Sequence, residues 1–290
     1  MPLFGFLQVY IYQVNGPGGS APPIEFKSQI DTKFPVLDLV WTDNGSVAVA
    51  SAGKTVAIWD VRRSASTVVG SHDAPVKGLR QFSVRGGAPM LVSGGWDKCL
   101  KYWDNRQPGQ AKVVKLPERV YALDAKRRAL VVGLANRQIG IFDLEGPDRP
   151  LREMESPLKF QTRCVSVSSD GQGFILASIE GRASIRYVDK AHDDKRGFQF
   201  RCHRIDNQVY PVNTIDMHTG DRFTDAFVTT GSDGSFVFWD KEKRVRLSNP
   251  FMQKARVPVT TARWSPNGRL LAYAHGYDWH RGFAGFNSSE

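Results

Sequence analysis

Cysteine is scarce in this sequence, and the cysteines that are present have no paired spacing. The three thiols, Cys99, Cys164 and Cys202, are far apart and odd in number. This arrangement excludes a disulfide framework and the paired spacing of a zinc site, and it is typical of a protein in a reducing compartment. We therefore expect the protein in the cytosol or nucleus.

Long apolar runs and helical periodicity are also missing. The apolar stretches have the length of strands, far short of the ~20 residues that a membrane-spanning helix needs. Residues 1–7 are apolar, but they lack the basic segment and the cleavage site of a signal peptide. No stretch of a dozen residues sustains a period of 3.6, so we expect almost no helix and no membrane insertion.

Constellations of catalytic or metal-binding residues are missing as well. His72 and His203 fall within repeat motifs, and the other four histidines have no carboxylate or cysteine partners at ligand spacing. The glycine-rich segment at residues 16–19 lacks the lysine and the helix of a phosphate-binding loop. The sequence thus predicts a protein without enzymatic activity, metal site or cofactor.

Basic residues, by contrast, are in excess. Lysine and arginine number 39 against 29 acidic residues, which gives a net charge of +10. An excess of this size favours an acidic partner, either a nucleic acid or an acidic peptide. The charge lies in short clusters such as residues 241–246, and solvated loops are the alternative interpretation.

A short apolar strand that ends in an aromatic residue and an aspartate occurs five times. Successive aromatic positions are separated by 44, 39, 45 and 52 residues. A period near 40–45 residues with this ending is typical of WD repeats, in which each repeat forms one four-stranded blade of an all-β propeller. The five endings are Ile58-Trp59-Asp60, Tyr102-Trp103-Asp104, Ile141-Phe142-Asp143, Tyr187-Val188-Asp189 and Phe238-Trp239-Asp240.

The repeat around residues 71–104 contains a set of polar residues that WD repeats bury together. His72, Ser93, Asp97 and Trp103 occupy the positions of a hydrogen-bonded relay from carboxylate to indole. Such groups are tolerated in a core only when each finds a partner. An Asp–His–Ser set also suggests a hydrolase, but the repeat-determined positions favour a structural role. Asp233 has the equivalent turn position in a later repeat.

Turn residues separate the predicted strands of each repeat. The Asn44-Gly45 step follows the strand at residues 36–41, and a glycine at positive φ suits a tight hairpin there. Asp170-Gly171 and Asn267-Gly268 have matching places in later repeats.

The count of repeats predicts one propeller domain over residues 1–290. Residues 7–14 form a remnant strand of the first blade, residues 15–33 form a loop, and residues 34–290 contain six repeats, the last incomplete. This is a seven-bladed pattern in which blade one and the end of the last blade are truncated. Either the ring closes with fewer strands, or the sequence is a truncated form.

Several segments are more specific than generic WD repeats. Together they resemble the nuclear-pore mRNA export factor family of propellers, of the Rae/Gle type, and its sister family, the Bub-type spindle-checkpoint propellers. The ending Tyr277-Asp278-Trp279 resembles the export factors and not the checkpoint proteins. The other segments are Ser71-His72-Asp73-Ala74-Pro75-Val76, Leu116-Pro117-Glu118-Arg119, Glu155-Ser156-Pro157-Leu158-Lys159, Ile179-Glu180-Gly181-Arg182, Phe200-Arg201-Cys202-His203-Arg204 and Gly231-Ser232-Asp233-Gly234.

The resemblance implies an adaptor in the export of poly(A)+ mRNA. Such a protein binds an acidic motif of a Gly-Leu-Phe-Gly-type nucleoporin and single-stranded RNA. It is located in the nucleus and at the nuclear pore complex of the envelope, and it shuttles to the cytoplasm. Arg182 matches the family arginine that pairs with a nucleoporin glutamate, for which a guanidinium is suited.

The resemblance also implies a side groove for RNA or an acidic peptide. Its aromatic members can stack a base or accept an apolar side chain, and its basic members supply a cationic wall. The matching residues are Phe200, Trp239, Asp240, Lys241, Arg244 and Arg246. The alternative function, implied by the sister family, is a mitotic scaffold that binds acidic motifs of kinetochore kinases and spindle proteins.

Overall fold

The computed structural model describes residues 8–15, 23–84, 87–104, 109–220, 223–252 and 257–285. The apolar segment at residues 1–7 and the glycine-rich segment at residues 16–19 lie outside this part of the chain. The molecule divides into two compact units, residues 1–120 and 121–290. Each unit is described by itself, and a single domain over the whole chain stays a prediction.

In its described residues the first unit contains three antiparallel sheets. A two-stranded sheet is followed by two four-stranded sheets, in which consecutive strands are neighbours. The first pairs β1 (Gln8–Val14) with β2 (Ile24–Asp31). The second consists of β3 (Val36–Trp41), β4 (Val47–Ser51), β5 (Thr55–Asp60) and β6 (Ala65–Ser71). The third consists of β7 (Val76–Phe82), β8 (Met90–Gly95), β9 (Cys99–Asp104) and β10 (Gln110–Lys115).

The second unit begins with two four-stranded sheets of the same order. One consists of β11 (Val120–Lys126), β12 (Ala129–Leu134), β13 (Gln138–Asp143) and β14 (Arg152–Glu155). The next consists of β15 (Thr162–Val167), β16 (Gly173–Ser178), β17 (Arg182–Tyr187) and β18 (Phe198–Arg201), with helix α1 (Lys190–Arg196) between the last two.

The described remainder of the second unit contains a short hairpin and two further sheets. The hairpin pairs β19 (Arg204–Ile205) with β20 (Gln208–Val209). A five-stranded sheet consists of β21 (Val212–Met217), β22 (Ala226–Gly231), β23 (Ser235–Asp240), β24 (Val245–Arg246) and β25 (Phe251–Met252). The last sheet pairs β26 (Val259–Trp264) with β27 (Leu271–His275), and a 3-10 turn spans Gly282–Gly285.

The five aromatic–aspartate endings mark equivalent places in the sheets. Each lies at the end of the third strand of a four- or five-stranded sheet, for example Trp59-Asp60 in β5 and Trp239-Asp240 in β23. Successive four-stranded antiparallel sheets of this kind are the blades of a WD-repeat β-propeller. The all-β class and the WD-repeat architecture predicted from the sequence are therefore confirmed.

The turn glycines have the backbone conformation that the sequence predicts. Gly45, Gly171 and Gly268 have φ angles of +77°, +73° and +67°. A side chain is disfavoured in this left-handed region, so glycine lets the two strands join in a tight turn.

The prediction of a loop over residues 15–33 is wrong for Ile24–Asp31, which form β2. This strand pairs with β1 along its whole length, and Ile30 is buried with Val9 and Ile11 in one apolar cluster. The polar run Lys27-Ser28-Gln29 and the Gly/Pro-rich residues before the strand concealed it, because a strand with one exposed face needs few apolar residues.

Helix is rare, as the sequence predicts. Within the described ranges α1 is the one α-helix, and its N-cap is Asp189, whose side chain accepts a hydrogen bond from the backbone N–H of His192 at 2.8 Å. Asp193 is the buried residue of this helix, and its carboxylate accepts hydrogen bonds from Arg152 at 2.7 Å and Arg186 at 2.6 Å. Burial raises the pKa of this carboxyl, but the hydrogen bonds outweigh burial and the pKa lies below its ordinary value.

Aspartates on first strands join neighbouring sheets within each unit. Asp38 of β3 accepts the backbone N–H of Leu79 at 2.9 Å, and Asp124 of β11 accepts that of Val167 at 2.8 Å. Asp216 of β21 accepts the N–H of Trp264 at 2.7 Å. The same device thus recurs three times in the described residues, each time from one first strand to the next.

The predicted relay in the third sheet is confirmed. The His72 ring lies 2.9 Å from Asp97 and 2.7 Å from the Ser93 hydroxyl, and the Trp103 indole donates to that hydroxyl at 2.8 Å. Burial lowers the pKa of His72 even though Asp97 opposes this shift. The imidazole is thereby stabilised in its neutral form inside the sheet.

Candidate functional site

A second relay supports the tryptophan of the predicted groove. The His203 ring lies 2.9 Å from Asp233 and 2.9 Å from the Thr229 hydroxyl, and the Trp239 indole donates to the same hydroxyl at 2.9 Å. The sequence indicated Asp233 but neither His203 nor Thr229 as its partners. A threonine replaces the serine of the first relay, which obscured the match.

Two predicted aromatic residues of the groove are in contact. The ring centroids of Phe200 and Trp239 are 4.7 Å apart, and each ring also lies near Phe227, at 6.1 Å and 6.4 Å. Phe200 and Trp239 are both partly exposed, whereas Phe227 is buried beneath them. Phe200 of β18 and Trp239 of β23 therefore form a partly exposed aromatic pair that packs on the buried ring of Phe227.

A groove of about 200 Å³ runs beside Trp239. Arg246 lines it and is the direct antiparallel partner of Trp239 across β23 and β24. The Arg246 side chain is exposed and has no hydrogen bond or ion pair with any described residue. Val237 and Met252 add apolar surface to the wall. The groove can thus hold an apolar or planar group next to a guanidinium.

Lys241 contributes less to a cationic wall than the sequence predicts. It is buried, with 4% of its surface exposed, and its ammonium lies 3.3 Å from Asp225 and 3.6 Å from Glu242. The ammonium is also 5.9 Å from the centre of the Tyr187 ring. A lysine enclosed in this way stabilises the turn after β23 and presents little charge to solvent.

Arg244 and Asp240 also have partners within the fold. The Arg244 guanidinium lies 4.5 Å from the centre of the Phe198 ring and donates to the backbone oxygen of Arg196 at 3.1 Å. Asp240 accepts the backbone N–H of Lys243 at 2.8 Å, which closes the turn after β23. Arg244 remains exposed, but among the three predicted basic residues only Arg246 lines the groove beside Trp239.

Arg182 begins β17, immediately after the turn formed by Glu180 and Gly181. Its side chain is 31% exposed, and its Nε lies 3.6 Å from a carboxylate oxygen of Glu180. The turn is confined, because Gly181 has a φ of +61° and a Cβ at this position would lie 2.8 Å from the Cys202 backbone oxygen. The Arg182 side chain thus lies close to the Glu180 carboxylate and remains accessible to solvent.

Sequence reasoning missed two arginines of this region. Arg201 is the antiparallel partner of Arg182 across β17 and β18, and both Arg201 and Arg204 line the groove that Trp239 and Arg246 share. Both belong to the family motif at residues 200–204, from which the sequence predicts no role for either. Their places one and four residues after Phe200 are the signal that could have revealed them.

No described part of the chain offers a metal site, since groups of three or more candidate ligands are absent from those residues. Cys202, beside the groove, is buried, and burial raises the pKa of its thiol. Among the helices in the described ranges, none has the length and apolar character needed to cross a bilayer.

The chain is similar to WD proteins and to mRNA export factors. A family model described as "WD domain, G-beta repeat" matches residues 64–104. The chain is 37% identical over 284 residues to "mRNA export factor GLE2" of Chaetomium thermophilum, which covers 96% of this chain and 76% of the relative. It is 38% identical over 294 residues to "Protein Rae1" of Drosophila melanogaster, which covers 97% and 81%.

A third relative extends the comparison to fission yeast. The "Poly(A)+ RNA export protein" of Schizosaccharomyces pombe is 36% identical over 290 residues, which covers 98% of this chain and 79% of the relative. Similarity at this level along nearly the whole chain agrees with the resemblance found in the motifs. The chain belongs to the Gle2/Rae1 family of WD-repeat mRNA export factors.

Proposed function

We propose that this chain is a non-enzymatic adaptor of the nuclear pore, which binds an acidic nucleoporin motif through Arg182 and single-stranded RNA in the groove beside Trp239. Membership of the family supports a role in mRNA export. The protein acts in the nucleus and at the pore complex, and it shuttles to the cytoplasm.

The observation that carries the proposal is the arrangement of Trp239 and Arg246. Trp239 packs against Phe200 and against the buried ring of Phe227. It lines a groove together with Arg246, whose side chain has no hydrogen bond or ion pair with any described residue. Stacking on an aromatic ring combined with a nearby cation is how proteins hold single strands without reading their sequence. The net charge of +10 favours the approach of an anionic ligand.

Arg182 supports the second half of the proposal. Its guanidinium lies near Glu180 and is accessible to solvent. A glutamate from a partner can share this guanidinium, and an arginine can bind a carboxylate through two parallel hydrogen bonds. Arg182 therefore offers the nucleoporin motif a specific contact on β17. This contact is close to Phe200, because Phe200 of β18 pairs with Ala183, the residue after Arg182.

Binding of the full chain to a labelled peptide with the acidic nucleoporin motif tests the proposal. We expect saturable binding that Arg182→Gln weakens about tenfold or more, since truncating a desolvated charge pair costs ~2–5 kcal/mol. Arg62→Gln is the matched control, because Arg62 is an exposed arginine in the turn after β5. Equal binding by the two variants contradicts the proposal. Preference for a checkpoint-type acidic motif favours the mitotic alternative.

A further inference from the structure

We propose that Arg204 is a positioning residue for Arg182: it holds the turn that presents Arg182 to the acidic ligand. This inference rests on the proposed function, because it concerns the same nucleoporin site. Arg204 begins the short strand β19 and lies 22 residues after Arg182 in the sequence. Its role follows from where its guanidinium donates.

The guanidinium of Arg204 binds the backbone of the two residues that precede Arg182. Its Nη2 donates to the Glu180 oxygen at 2.9 Å, and its Nε donates to the Gly181 oxygen at 3.3 Å. Two donors from one planar group to consecutive carbonyls restrain the orientation of the peptide between them. The direction in which β17 begins, and with it the Arg182 side chain, depends on that peptide.

The other side of the turn is confined by backbone. The N–H of Cys202 donates to the Gly181 oxygen at 3.1 Å. A Cβ on Gly181 would lie 3.1 Å from the backbone oxygen of His203 and 3.1 Å from that of Tyr210. The turn is therefore packed closely against residues 202–210, and Arg204 holds it through two of its carbonyl groups.

Glu180 connects the turn to the binding side chain. Its carboxylate lies 3.6 Å from Arg182 Nε, and its other oxygen accepts the backbone N–H of Lys159 at 3.2 Å. Because Arg204 holds the Glu180 backbone, it orients both Arg182 and the acid that lies next to it. Loss of Arg204 frees the guanidinium of Arg182 to adopt orientations in which a bidentate contact is lost.

Arg201 provides the control for charge. It lies opposite Arg182 across the strands, is exposed, and makes no side-chain hydrogen bond or ion pair with any described residue. Arg201→Gln and Arg204→Gln each remove one positive charge near Arg182. The first leaves the turn intact, whereas the second removes the two hydrogen bonds to Glu180 and Gly181.

A double-mutant cycle on the full chain tests the proposal, with binding of the labelled acidic nucleoporin peptide as the measurement. We expect Arg204→Gln to weaken binding about tenfold, the effect of about one net hydrogen bond to a charged group. In the Arg182→Gln background the same change should weaken binding less than about twofold, because a residue that acts through Arg182 has nothing left to position. Arg201→Gln should have equal effects in both backgrounds.

Additive losses for Arg182→Gln and Arg204→Gln overturn the inference, because they indicate that Arg204 contacts the ligand or acts by charge alone. Thermal unfolding of each variant accompanies the cycle. If Arg204→Gln does not fold, Arg204→Lys replaces it, since a lysine keeps the charge and cannot bind both carbonyls in the same plane. Binding unaffected by Arg182→Gln would instead reject the proposed function itself.

Discussion

The Trp239 indole donates its N–H to the Thr229 hydroxyl at 2.9 Å, and the same hydroxyl lies 2.9 Å from the His203 ring. Trp239 therefore takes part both in the buried relay and in the wall of the groove. The polar edge of the indole is fixed by the relay, and part of its apolar surface remains accessible beside Arg246. Because the two roles use different parts of the indole, a tryptophan that stabilises its repeat can also contact a ligand.

Thr229→Val should destabilise the fold by about 1–3 kcal/mol. The change preserves the shape of the side chain and leaves the His203 ring and the Trp239 indole without their shared partner in a buried place. Urea unfolding measures the loss. Ser93→Ala in the first relay is the parallel variant, and a difference of less than about 0.5 kcal/mol from the parent in both cases contradicts a structural role for the relays.

Asp193→Asn should destabilise the protein by about 3–5 kcal/mol near neutral pH. Arg152 and Arg186 both donate to this carboxylate, whose side chain is 0% exposed, and the amide leaves two guanidinium groups uncompensated. Chemical unfolding of the variant and of the parent chain provides the comparison.

The pH dependence of that difference supplies a separate test. The pKa of Asp193 in the fold lies below its ordinary value of 3.8, so its stabilising effect is complete above that value and is lost as the pH falls through the folded pKa. The difference between parent and Asp193→Asn should therefore be constant above about pH 5 and shrink in acid. A difference that grows in acid would show that the sign of the pKa shift is wrong.

Arg246→Gln should weaken binding of a single-stranded oligonucleotide and leave stability unchanged. Arg246 is exposed and has no partner among the described residues, so its charge is available to a phosphate. Each phosphate contact changes the slope of log K against log salt by about 0.7 for single strands. The slope measured by titration should fall by about that amount in the variant, and an unchanged slope contradicts a phosphate contact.

Gly181→Ala should destabilise the fold more than Gly45→Ala. Both glycines have positive φ, at +61° and +77°, but a Cβ at Gly181 would lie 2.8 Å from the Cys202 oxygen, whereas nothing lies within 4 Å of one at Gly45. We expect about 1 kcal/mol for Gly45→Ala and at least ~2 kcal/mol for Gly181→Ala. Equal melting temperatures for the two variants would argue against a confined turn.

The repeat period and the turn residues carried most of the prediction of the fold. Trp59-Asp60 and Asn44-Gly45 are local signals, because a strand ending and a hairpin turn depend on neighbouring residues. Strand β2 escaped because its one buried isoleucine, Ile30, is recognisable only from its contacts with Val9 and Ile11. Burial on one face by residues distant in sequence leaves little local pattern.

The sequence predicted which residues lie near the site better than it predicted their burial and their ion pairs. Phe200 and Trp239 do meet, and Arg246 lines the groove beside Trp239, whereas Phe200 is not among the residues that line that groove. Lys241 was expected in the cationic wall but is enclosed between Asp225 and Glu242. A cluster of basic residues in the sequence does not show which of them forms an ion pair with an acidic residue, because the pairing depends on how the chain turns after β23.

The aspartate bridges between sheets place unequal demands on the two residues that they join. Asp38, Asp124 and Asp216 must keep their carboxylates, while Leu79, Val167 and Trp264 contribute only a backbone N–H. Any residue except proline can offer that donor. The side chains of Leu79, Val167 and Trp264 can therefore vary without loss of these backbone hydrogen bonds. The neighbouring arginines cannot vary in the same way, because Arg80 donates a side-chain hydrogen bond to Asp38 at 2.7 Å and Arg263 donates one to Asp216 at 2.8 Å. A repeat exchanged for another during evolution or in design must keep such an arginine on β7 and β26 to preserve the ion pair with the preceding sheet.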